Sequence, residues 1–403
     1  SPLSKREQTP NRGKLNQTMS SDLPRTMRAV VYDRDNRVTD SAMGFCAEQL
    51  TPFPKNKIIV KVCAVGLTPH DFSVAKVPIL GMSYDHKIVG TDISGEVVYA
   101  PANSKFNPGD EVFGFASSGA WAEYAETEEH MVAKKTASLS HIGAALLPTA
   151  GVTALQCLRD VGKVKQNDNV LILLGGSINA CGGFAVQIAK ALGCRVTCVC
   201  AGKDLEVVRG LGADKVHAPW HVGVSRTSSV DSVLQSELPR ILTSDEEDDK
   251  FDCIFDTTSA KEVNYEPLTR NLLRHAPSNM PRAKGGVASP SLYVALQSGT
   301  MDAVKSFIEK TLQLPFQRTH FRLHSECQLN AGVGEGLAWL ARAVEEGKLN
   351  VAFDGASQDQ RLECGGERME AHARAALALL RSGTSDGRLV LGASTVIWNA
   401  WSE

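Results

Sequence analysis

Alternating apolar and polar residues in the first third of the chain predict a β-rich unit. MRAVVYD (Met27 to Asp33) and KIIVKVCAV (Lys57 to Val65) alternate as half-buried strands do. Shorter pieces of the same kind follow between glycines and prolines, at Ile88 to Val98, Phe106 to Phe115 and Gly119 to Ala125. Many short strands separated by turn residues are typical of a partly closed barrel.

Beyond residue 140 the pattern changes to helices and fully apolar strands. Leu139 to Leu158 has helical apolar spacing that is interrupted at Pro148. NVLILL (Asn169 to Leu174) is apolar throughout, as a strand buried on both faces is. A Gly-rich turn, a helix closed by Gly193 and a second apolar strand from Arg195 to Cys200 follow. This order predicts a βαβ unit of about 30 residues.

The remaining runs extend that unit and then finish the chain. Phe251 to Phe255 and Leu292 to Leu296 are further strands, which indicates a doubly wound sheet. Gly336 to Leu349 predicts an amphipathic helix, and Glu367 to Leu380 predicts a last one before the strand Gly387 to Ala393. The pattern as a whole indicates an α/β protein.

Composition narrows the class of protein. A chain of 403 residues is long enough for two cores. Its net charge of −2 gives no reason to expect a nucleic-acid partner, and no apolar run is long enough to predict a transmembrane segment. The ten cysteines are scattered, and Cys198, Cys200 and Cys253 lie in apolar strands. We expect buried free thiols in a reducing compartment.

Residues 1–26 differ in kind from the rest. They are rich in Ser, Thr, Asn and Pro, carry a local charge of +3 from five basic and two acidic residues, and have no apolar periodicity. Such a stretch is expected to be a disordered arm or the remnant of a targeting sequence. The first residue is Ser1 and not methionine, which favours processing. We therefore predict a mitochondrial location, with plastid and cytoplasm as alternatives.

The turn after Asn169 to Leu174 is a candidate dinucleotide site. Backbone N–H groups must approach a pyrophosphate closely there, and the following helix N-terminus adds partial positive charge. Asn179 is expected to tolerate a left-handed backbone in place of glycine. The predicted cofactor-binding residues of this turn are Gly176, Ser177, Asn179, Ala180, Cys181 and Gly182.

The end of the second strand predicts the kind of dinucleotide. An NAD site usually has Asp or Glu there to bind the ribose hydroxyls. Here the small residues Cys200, Ala201 and Gly202 precede Lys203, which can pair with a ribose phosphate. The neighbouring Asp204 is a rival acidic ligand. We favour NADPH as the cofactor.

Taken in order, these motifs resemble the zinc-free quinone oxidoreductases of the medium-chain dehydrogenase/reductase superfamily. The likeness covers roughly residues 27–396 and is strongest to the mitochondrial reticulon-interacting branch and to the chloroplast-envelope homologue. It is carried by MRAVVYD, VKVCAVGLTPHD, IVGTDISGEVV, NPGDEVFGF, GAWAEYA, LLPTAGVTAL, AVQIAK, LGADKV, FDCIFDTTS, LYVAL, EEGKL and GRLVL.

This resemblance implies a GroES-like β-barrel domain and a Rossmann domain with the cofactor between them. The expected division is the arm at 1–26, the first part of the GroES-like domain at 27–149, the Rossmann domain at 150–345, a return to the GroES-like domain at 346–396, and a tail at 397–403. By matching position, Thr153 should reach the nicotinamide half. The implied partner is a small quinone or enone, and the chain is expected to form a homodimer or to join a larger organellar complex.

The residues at the catalytic loops argue against zinc. Zinc-dependent relatives carry Cys where this chain has Thr68, and Gly-His-Glu where it has Gly90, Thr91 and Asp92. Their four-cysteine lobe is missing, and Cys63 with His70 would still lack a third ligand. We predict no metal.

The candidate catalytic residues are Thr68 and Tyr84, as hydrogen-bond donors to the acceptor oxygen. Thr68 precedes Pro69 where the family usually has Asn-Pro, and Asn179 with Ala180 replaces the paired central glycines of the family turn. The preferred function is an NADPH-dependent quinone or enone reductase. The alternatives are a weakly active or inactive subunit of an organellar complex, which the altered loops motivate, and an enoyl-thioester reductase.

Overall fold

The computed structural model describes twelve stretches of the chain, and the statements below concern these alone. They are residues 23–32, 43–52, 56–68, 88–175, 178–220, 250–258, 269–274, 291–297, 321–325, 332–351, 362–364 and 395–399.

The first part of the chain forms mostly antiparallel sheet. Strand β1 (Thr26–Tyr32) pairs with β2 (Met43–Leu50), and an isolated bridge joins Ala29 to Ala122. The next strands build a larger sheet in which β3 pairs with both β4 and β6, and β5 pairs with both β4 and β7. Their bounds are Ile58–Leu67 for β3, Asp92–Tyr99 for β4, Glu111–Phe115 for β5, Tyr124–Thr127 for β6 and Val132–Lys134 for β7.

The second sheet has six parallel strands. They are β8 (Asn169–Leu173), β9 (Arg195–Ala201), β10 (Lys215–Trp220), β11 (Cys253–Asp256), β12 (Leu292–Gln297) and β13 (Phe321–Ser325). The spatial order is β10-β9-β8-β11-β12-β13, which is the 3-2-1-4-5-6 order of the Rossmann fold. The predicted α/β class, a GroES-like barrel with a doubly wound parallel sheet, is confirmed.

Five helices connect or cover these sheets. They are α1 (His141–Ala145), α2 (Pro148–Leu155), α3 (Ala180–Ala191), α4 (Leu205–Gly210) and α5 (Val333–Glu345). Pro148 is the first residue of α2, where its missing N–H costs no hydrogen bond, so the predicted interruption is a boundary between two helices. After α2 the backbone widens into a π-helical turn, Gln156–Val161.

Two late strands join the first sheet. Strand β15 (Thr395–Asn399) runs antiparallel to β3, with Thr395 opposite Leu67, and β14 (Leu362–Cys364) runs parallel to β15. The predicted helix at 367–380 and the predicted strand at 387–393 lie outside the described residues. The domain boundaries stay a prediction.

One apolar core reaches from the barrel into the Rossmann unit. Phe113 and Phe115 of β5 belong to the same buried cluster as Leu337 of α5 and Phe184 of α3. Gly114, which has no side chain, permits this contact: a Cβ there would lie 3.0 Å from Leu337 Cδ1 of α5. Burying each such large apolar side chain contributes roughly 1.5–3 kcal/mol. Cys198, Cys200 and Cys253 are buried free thiols, as expected.

Candidate functional site

The candidate site lies where the parallel sheet reverses its winding direction. Strand β8 stands at this switch point between β9 and β11, and ligands of open α/β sheets bind outside the carboxyl ends of such strands. After β8 comes Gly175, whose φ of +67° is left-handed and favours glycine. The sequence interpretation began the turn at Gly176 and missed this residue. Gly176 and Ser177 lie outside the described residues.

Asn179 closes the turn as the N-cap of α3. Its φ of −108° is extended, so the expectation of a left-handed backbone is wrong. The physical reason is capping: Asn179 Oδ1 accepts the Gly182 N–H at 2.7 Å, which requires an extended N-cap residue. Its Nδ2 also donates to the Thr257 carbonyl oxygen at 3.0 Å. Asn179 therefore joins the β8 turn to the loop after β11.

The N-terminus of α3 is held tightly against β8. Ala180 and Cys181 are buried, and a Cβ on Gly182 would lie 2.5 Å from Leu174 Cδ2. The backbone N–H groups of a first helical turn have no acceptor within the helix, and the helix dipole adds positive charge there. This cradle of small residues fits a pyrophosphate. The Gly182 N–H is committed to the cap, so a pyrophosphate would have to be bound by other backbone donors of this turn.

Asp204 stabilises the same turn from the end of β9. It ends a single 3-10 turn, Gly202–Asp204, and its Oδ2 accepts the Ile178 N–H at 2.9 Å. Burial raises the pKa of the Asp204 carboxyl, while the Ile178 hydrogen bond and the charge of Lys203 act in the opposite direction. Asp204, the alternative ligand for the ribose, thus already accepts a hydrogen bond from the protein backbone. Lys203 is exposed beside it, at the carboxyl edge of the sheet.

A buried carboxyl group at the end of β11 was missed by sequence reasoning. Tyr293 Oη donates to Asp256 Oδ2 at 2.5 Å, while the Thr258 hydroxyl and backbone N–H donate to Oδ1 at 2.5 and 2.9 Å. Burial raises the pKa of Asp256 to about 6. A Cβ on Gly175 would lie 2.8 Å from Thr258 Cγ2, so this loop packs against the β8 turn. The sequence signal was an aspartate at the end of an apolar strand.

Asp92 connects the barrel to helix α2. It is fully buried at the start of β4, and its carboxylate accepts the Thr149 N–H at 2.8 Å and the Thr149 hydroxyl at 2.7 Å. Thr153, predicted at the nicotinamide, is buried one helical turn after Thr149 and therefore on the same face of α2. Asp92 stands where zinc-dependent relatives have glutamate, and its carboxylate is hydrogen-bonded to α2.

Of the two candidate catalytic residues, Thr68 is within the described part of the chain and Tyr84 is not. Thr68 is buried directly after β3. The β3–β4 ladder ends with Gly66 opposite Asp92, and Thr68 follows this last pair by two residues. Tyr84 and His70 lie outside the described residues. The structure therefore brings together Asn179, Ala180, Cys181 and Gly182 at α3, with Lys203 nearby along the sheet edge, while Thr68 and Thr153 belong to neighbouring elements.

The described part of the chain contains neither a candidate metal site nor a candidate membrane-spanning helix. No group of three or more His, Cys, Asp or Glu side chains there could hold a metal ion. Likewise, none of the described helices is long and apolar enough to cross a membrane. Zinc independence stays a prediction.

Comparison with known proteins identifies the first domain. Residues 54–137 match the alcohol dehydrogenase GroES-like domain. A chloroplastic quinone-oxidoreductase homolog of Spinacia oleracea is 34% identical over 201 residues, 47% of this chain and 60% of that protein. A trans-enoyl reductase of Aspergillus terreus is 31% identical over 215 residues, 49% of this chain and 60% of that protein. The mitochondrial NAD(P)H oxidoreductase RTN4IP1 of Danio rerio is 32% identical over 182 residues, 40% of this chain and 47% of that protein.

These alignments are partial, whereas the structural match is nearly complete. The chain spans 47% to 60% of the length of the three curated relatives. The quinone oxidoreductase of Coxiella burnetii superposes with a TM-score of 0.63 at 23% identity, covering 93% of this chain and 99% of that one. Likeness at that identity establishes a shared fold. The chain therefore contains the alcohol dehydrogenase GroES-like domain within a quinone-oxidoreductase fold, and the resemblance to the medium-chain dehydrogenase/reductase superfamily is confirmed.

Proposed function

We propose that the chain is an NADPH-dependent oxidoreductase that reduces a quinone or an α,β-unsaturated carbonyl compound without zinc. The observation that carries this proposal is the α3 N-terminus, which Asn179 caps at the switch point of the parallel sheet. The names of the relatives, quinone-oxidoreductase homolog and NAD(P)H oxidoreductase, support it.

Each predicted residue has a stated task in this proposal. The first turn of α3, with Gly176 and Ser177 before it, would hold the pyrophosphate, and Lys203 would pair with the ribose phosphate. Thr153 would contact the nicotinamide half. When bound, NADPH supplies the hydride. The protein must then exclude water and offer hydrogen-bond donors to the acceptor oxygen, for which Thr68 and Tyr84 are the candidates.

The engagement of Asp92 supports a zinc-free reaction. Zinc in a catalytic site needs three protein ligands, and turning Asp92 towards a metal would remove its two bonds to Thr149. A quinone or an enone can accept hydride without a Lewis acid. A simple alcohol, in contrast, normally requires zinc for its oxidation. Water can protonate the product, so no dedicated acid is required.

The second candidate is an enoyl-thioester reductase. The similarity to a trans-enoyl reductase of Aspergillus terreus favours it, and the same hydride transfer to a β-carbon would serve. A third candidate is a weakly active or inactive subunit of an organellar complex that keeps the fold and binds the nucleotide, because Thr68 and Asn179 stand at the two loops where this chain departs from the family pattern. We further propose an organellar location, because one of the relatives is chloroplastic and another is mitochondrial. The mitochondrion in preference to the plastid stays a prediction. Homodimer formation or membership of a larger organellar complex stays a prediction.

The test compares acceptors under NADPH saturation. We expect the purified protein to oxidise NADPH faster with phenanthrenequinone or an enone than with crotonyl-CoA, followed by NADPH absorbance. The reverse ranking would favour the thioester reductase. Binding that quenches tryptophan fluorescence without oxidation would favour the inactive subunit, and absence of binding would contradict all three nucleotide-based candidates.

A matched pair of glycine variants tests whether the N-terminus of α3 binds the nucleotide. Gly182→Ala should weaken NADPH binding by at least about tenfold, because its methyl group would meet Leu174 Cδ2 at 2.5 Å and displace the turn. Gly210→Ala, the same change on α4, meets nothing within 4 Å and should bind as the wild type does. Equal affinity of both variants would place the nucleotide elsewhere.

A further inference from the structure

Trp121 of the barrel carries a buried hydrogen-bond donor that no acceptor among the described residues satisfies. The residue is 5% exposed, and its indole Nε1 has no partner in the described part of the chain. An indole N–H can only donate, so only an acceptor brought to it can satisfy it. Buried polar atoms of native proteins nearly always have partners, and an exception of this kind suggests a ligand group.

The other unpartnered atoms among the described residues do not offer this chemistry. Arg274 Nε lies 3.2 Å from Asp252 Oδ1 and is thus part of an ion pair. The hydroxyl groups of Thr51 and Ser117 can accept as well as donate, so water can satisfy them in several orientations. Trp121 is the one rigid, donor-only group in this set.

The backbone of Gly90 forms the surface against which the indole edge lies, and Gly119 packs in the same way against Ile88. A Cβ on Gly90 would stand 2.5 Å from Cδ1 and 2.7 Å from Nε1 of Trp121, so the N–H edge of the ring lies directly against that backbone. Gly90 and Gly119 have φ angles of +84° and +96°, which favour glycine. The backbone N–H of Trp121 donates to the Val89 carbonyl oxygen at 2.9 Å and fixes the base of the side chain.

This position lies just before Asp92, the first residue of β4. Asp92 pairs with Gly66 in the last pair of the β3–β4 ladder; Gly90 precedes Asp92 by two residues, and Thr68 follows Gly66 by two residues on the other strand. Asp92 also holds Thr149 of α2, the helix that carries Thr153. The donor edge of Trp121 therefore lies against the segment that leads into β4, two residues from the contact between β4 and α2.

We propose that Trp121 Nε1 donates a hydrogen bond to the carbonyl oxygen of the acceptor, an inference that rests on the proposed function. Hydride adds to the β-carbon of an enone or to the quinone, and an electron pair moves onto the oxygen. Bound NADPH would supply this hydride with its two electrons, so the acceptor would be reduced by two electrons. The indole N–H stabilises the resulting oxyanion and keeps its own proton, and water provides the proton that completes the reduction.

The direct test observes the donor by NMR and does not depend on turnover. Protein with ¹⁵N-labelled indoles is saturated with NADP⁺ and titrated with phenanthrenequinone, and separately with phenanthrene, which has the same shape and no carbonyl. We expect the Trp121 indole proton to move downfield with the quinone only. The same response to both ligands, or none to the quinone while other signals shift, would overturn the proposal.

Kinetics of a matched pair of variants provides the second readout. Trp121→Phe keeps an aromatic ring against Gly90 and removes the N–H, so kcat/KM for quinone and enone should fall about ten- to hundredfold while NADPH affinity is kept. Trp339→Phe, the same change on α5, should behave as the wild type does. Wild-type kcat/KM in the Trp121 variant would overturn this inference and leave the proposed function standing.

Two further outcomes are distinguishable. If Trp121→Phe does not fold, the wild-type titration still decides, because the signal can be assigned by replacing the other four tryptophans in turn. A wild-type protein that neither oxidises NADPH nor shifts any indole signal would contradict the proposed function and this inference together.

Discussion

Three polar side chains at the carboxyl edge of the parallel sheet form hydrogen bonds to neighbouring loops and strands. Asp204 holds the Ile178 N–H, Asn179 holds the Thr257 carbonyl oxygen, and Asp256 accepts from Tyr293 and from Thr258. Hydrogen bonds of this kind each contribute about 1 kcal/mol, and more when a charged group takes part. The loops after β8, β9 and β11 are thereby connected, so a change in one should be felt in the others.

At the residue scale, Lys203 should make the protein bind NADPH more tightly than NADH. Lys203→Glu should weaken NADPH binding by about 1–3 kcal/mol, roughly ten- to hundredfold, because it removes a charge-assisted contact to the ribose phosphate and adds repulsion. NADH affinity should change little. Fluorescence titration with both cofactors measures the difference.

The control for Lys203 is a lysine at the other edge of the sheet. Lys165 is exposed and precedes β8, whereas Lys203 follows β9. Lys165→Glu changes the net charge by the same amount and should leave the preference for NADPH unaltered. Equal losses for NADPH and NADH in the Lys203 variant would refute its pairing with the phosphate.

Among the elements, helix α3 depends on a side chain that has two tasks. Asn179→Ala removes the cap, which costs about 1 kcal/mol, and leaves the Thr257 carbonyl oxygen without its amide donor. Because the same residue positions the cradle, we expect NADPH affinity to fall about tenfold as well. Denaturant unfolding and cofactor titration measure the two effects separately.

Helix α1 offers a matched cap. Ser140 accepts the Gly143 N–H at 3.1 Å and caps a helix that packs on the barrel. Ser140→Ala should lose a similar free energy of unfolding while NADPH affinity is kept. If both variants bind NADPH equally well, the Asn179 cap is structural only and the cradle assignment weakens.

For the whole molecule, Asp256 should make stability depend on pH. In the folded protein its pKa is raised to about 6, and in the unfolded chain it is about 3.9. Between those pH values the folded state binds the extra proton, so the stabilisation is complete below about pH 4 and is lost as the pH rises to about 6. At about 1.4 kcal/mol per pKa unit, the loss is on the order of 3 kcal/mol.

Asp256→Asn isolates that contribution because the variant does not titrate there. Between about pH 4 and about pH 7, wild-type protein should lose on the order of 3 kcal/mol relative to the variant, measured by urea unfolding. Tyr293→Phe removes a donor that favours the ionised Asp256 carboxylate. The pKa of Asp256 should therefore be higher in this variant, and the loss of stability should extend to higher pH. Parallel pH profiles of wild type and Asp256→Asn would contradict the assignment.

Much of the architecture could be predicted from local patterns along the chain. Two-residue alternation indicated the barrel strands, the apolar runs indicated buried parallel strands, and the glycine-rich turn indicated the βαβ unit. These features are local because the faces of a strand or a helix follow from the spacing of neighbouring residues. Pro148 illustrates the limit, since the break that it predicts is the start of a second helix.

The site's connections could not be predicted, because they join residues that are far apart in the chain. The bonds of Asp204 to Ile178, Asp92 to Thr149 and Asn179 to Thr257 span 26, 57 and 78 positions. Each depends on which strands become neighbours, and packing of the whole sheet decides that. The sequence by itself thus determined the elements, their order and the candidate turn. Only the tertiary structure decided that Asn179 is an extended cap, that Asp256 is buried beside Tyr293, and that the indole N–H of Trp121 lies against Gly90.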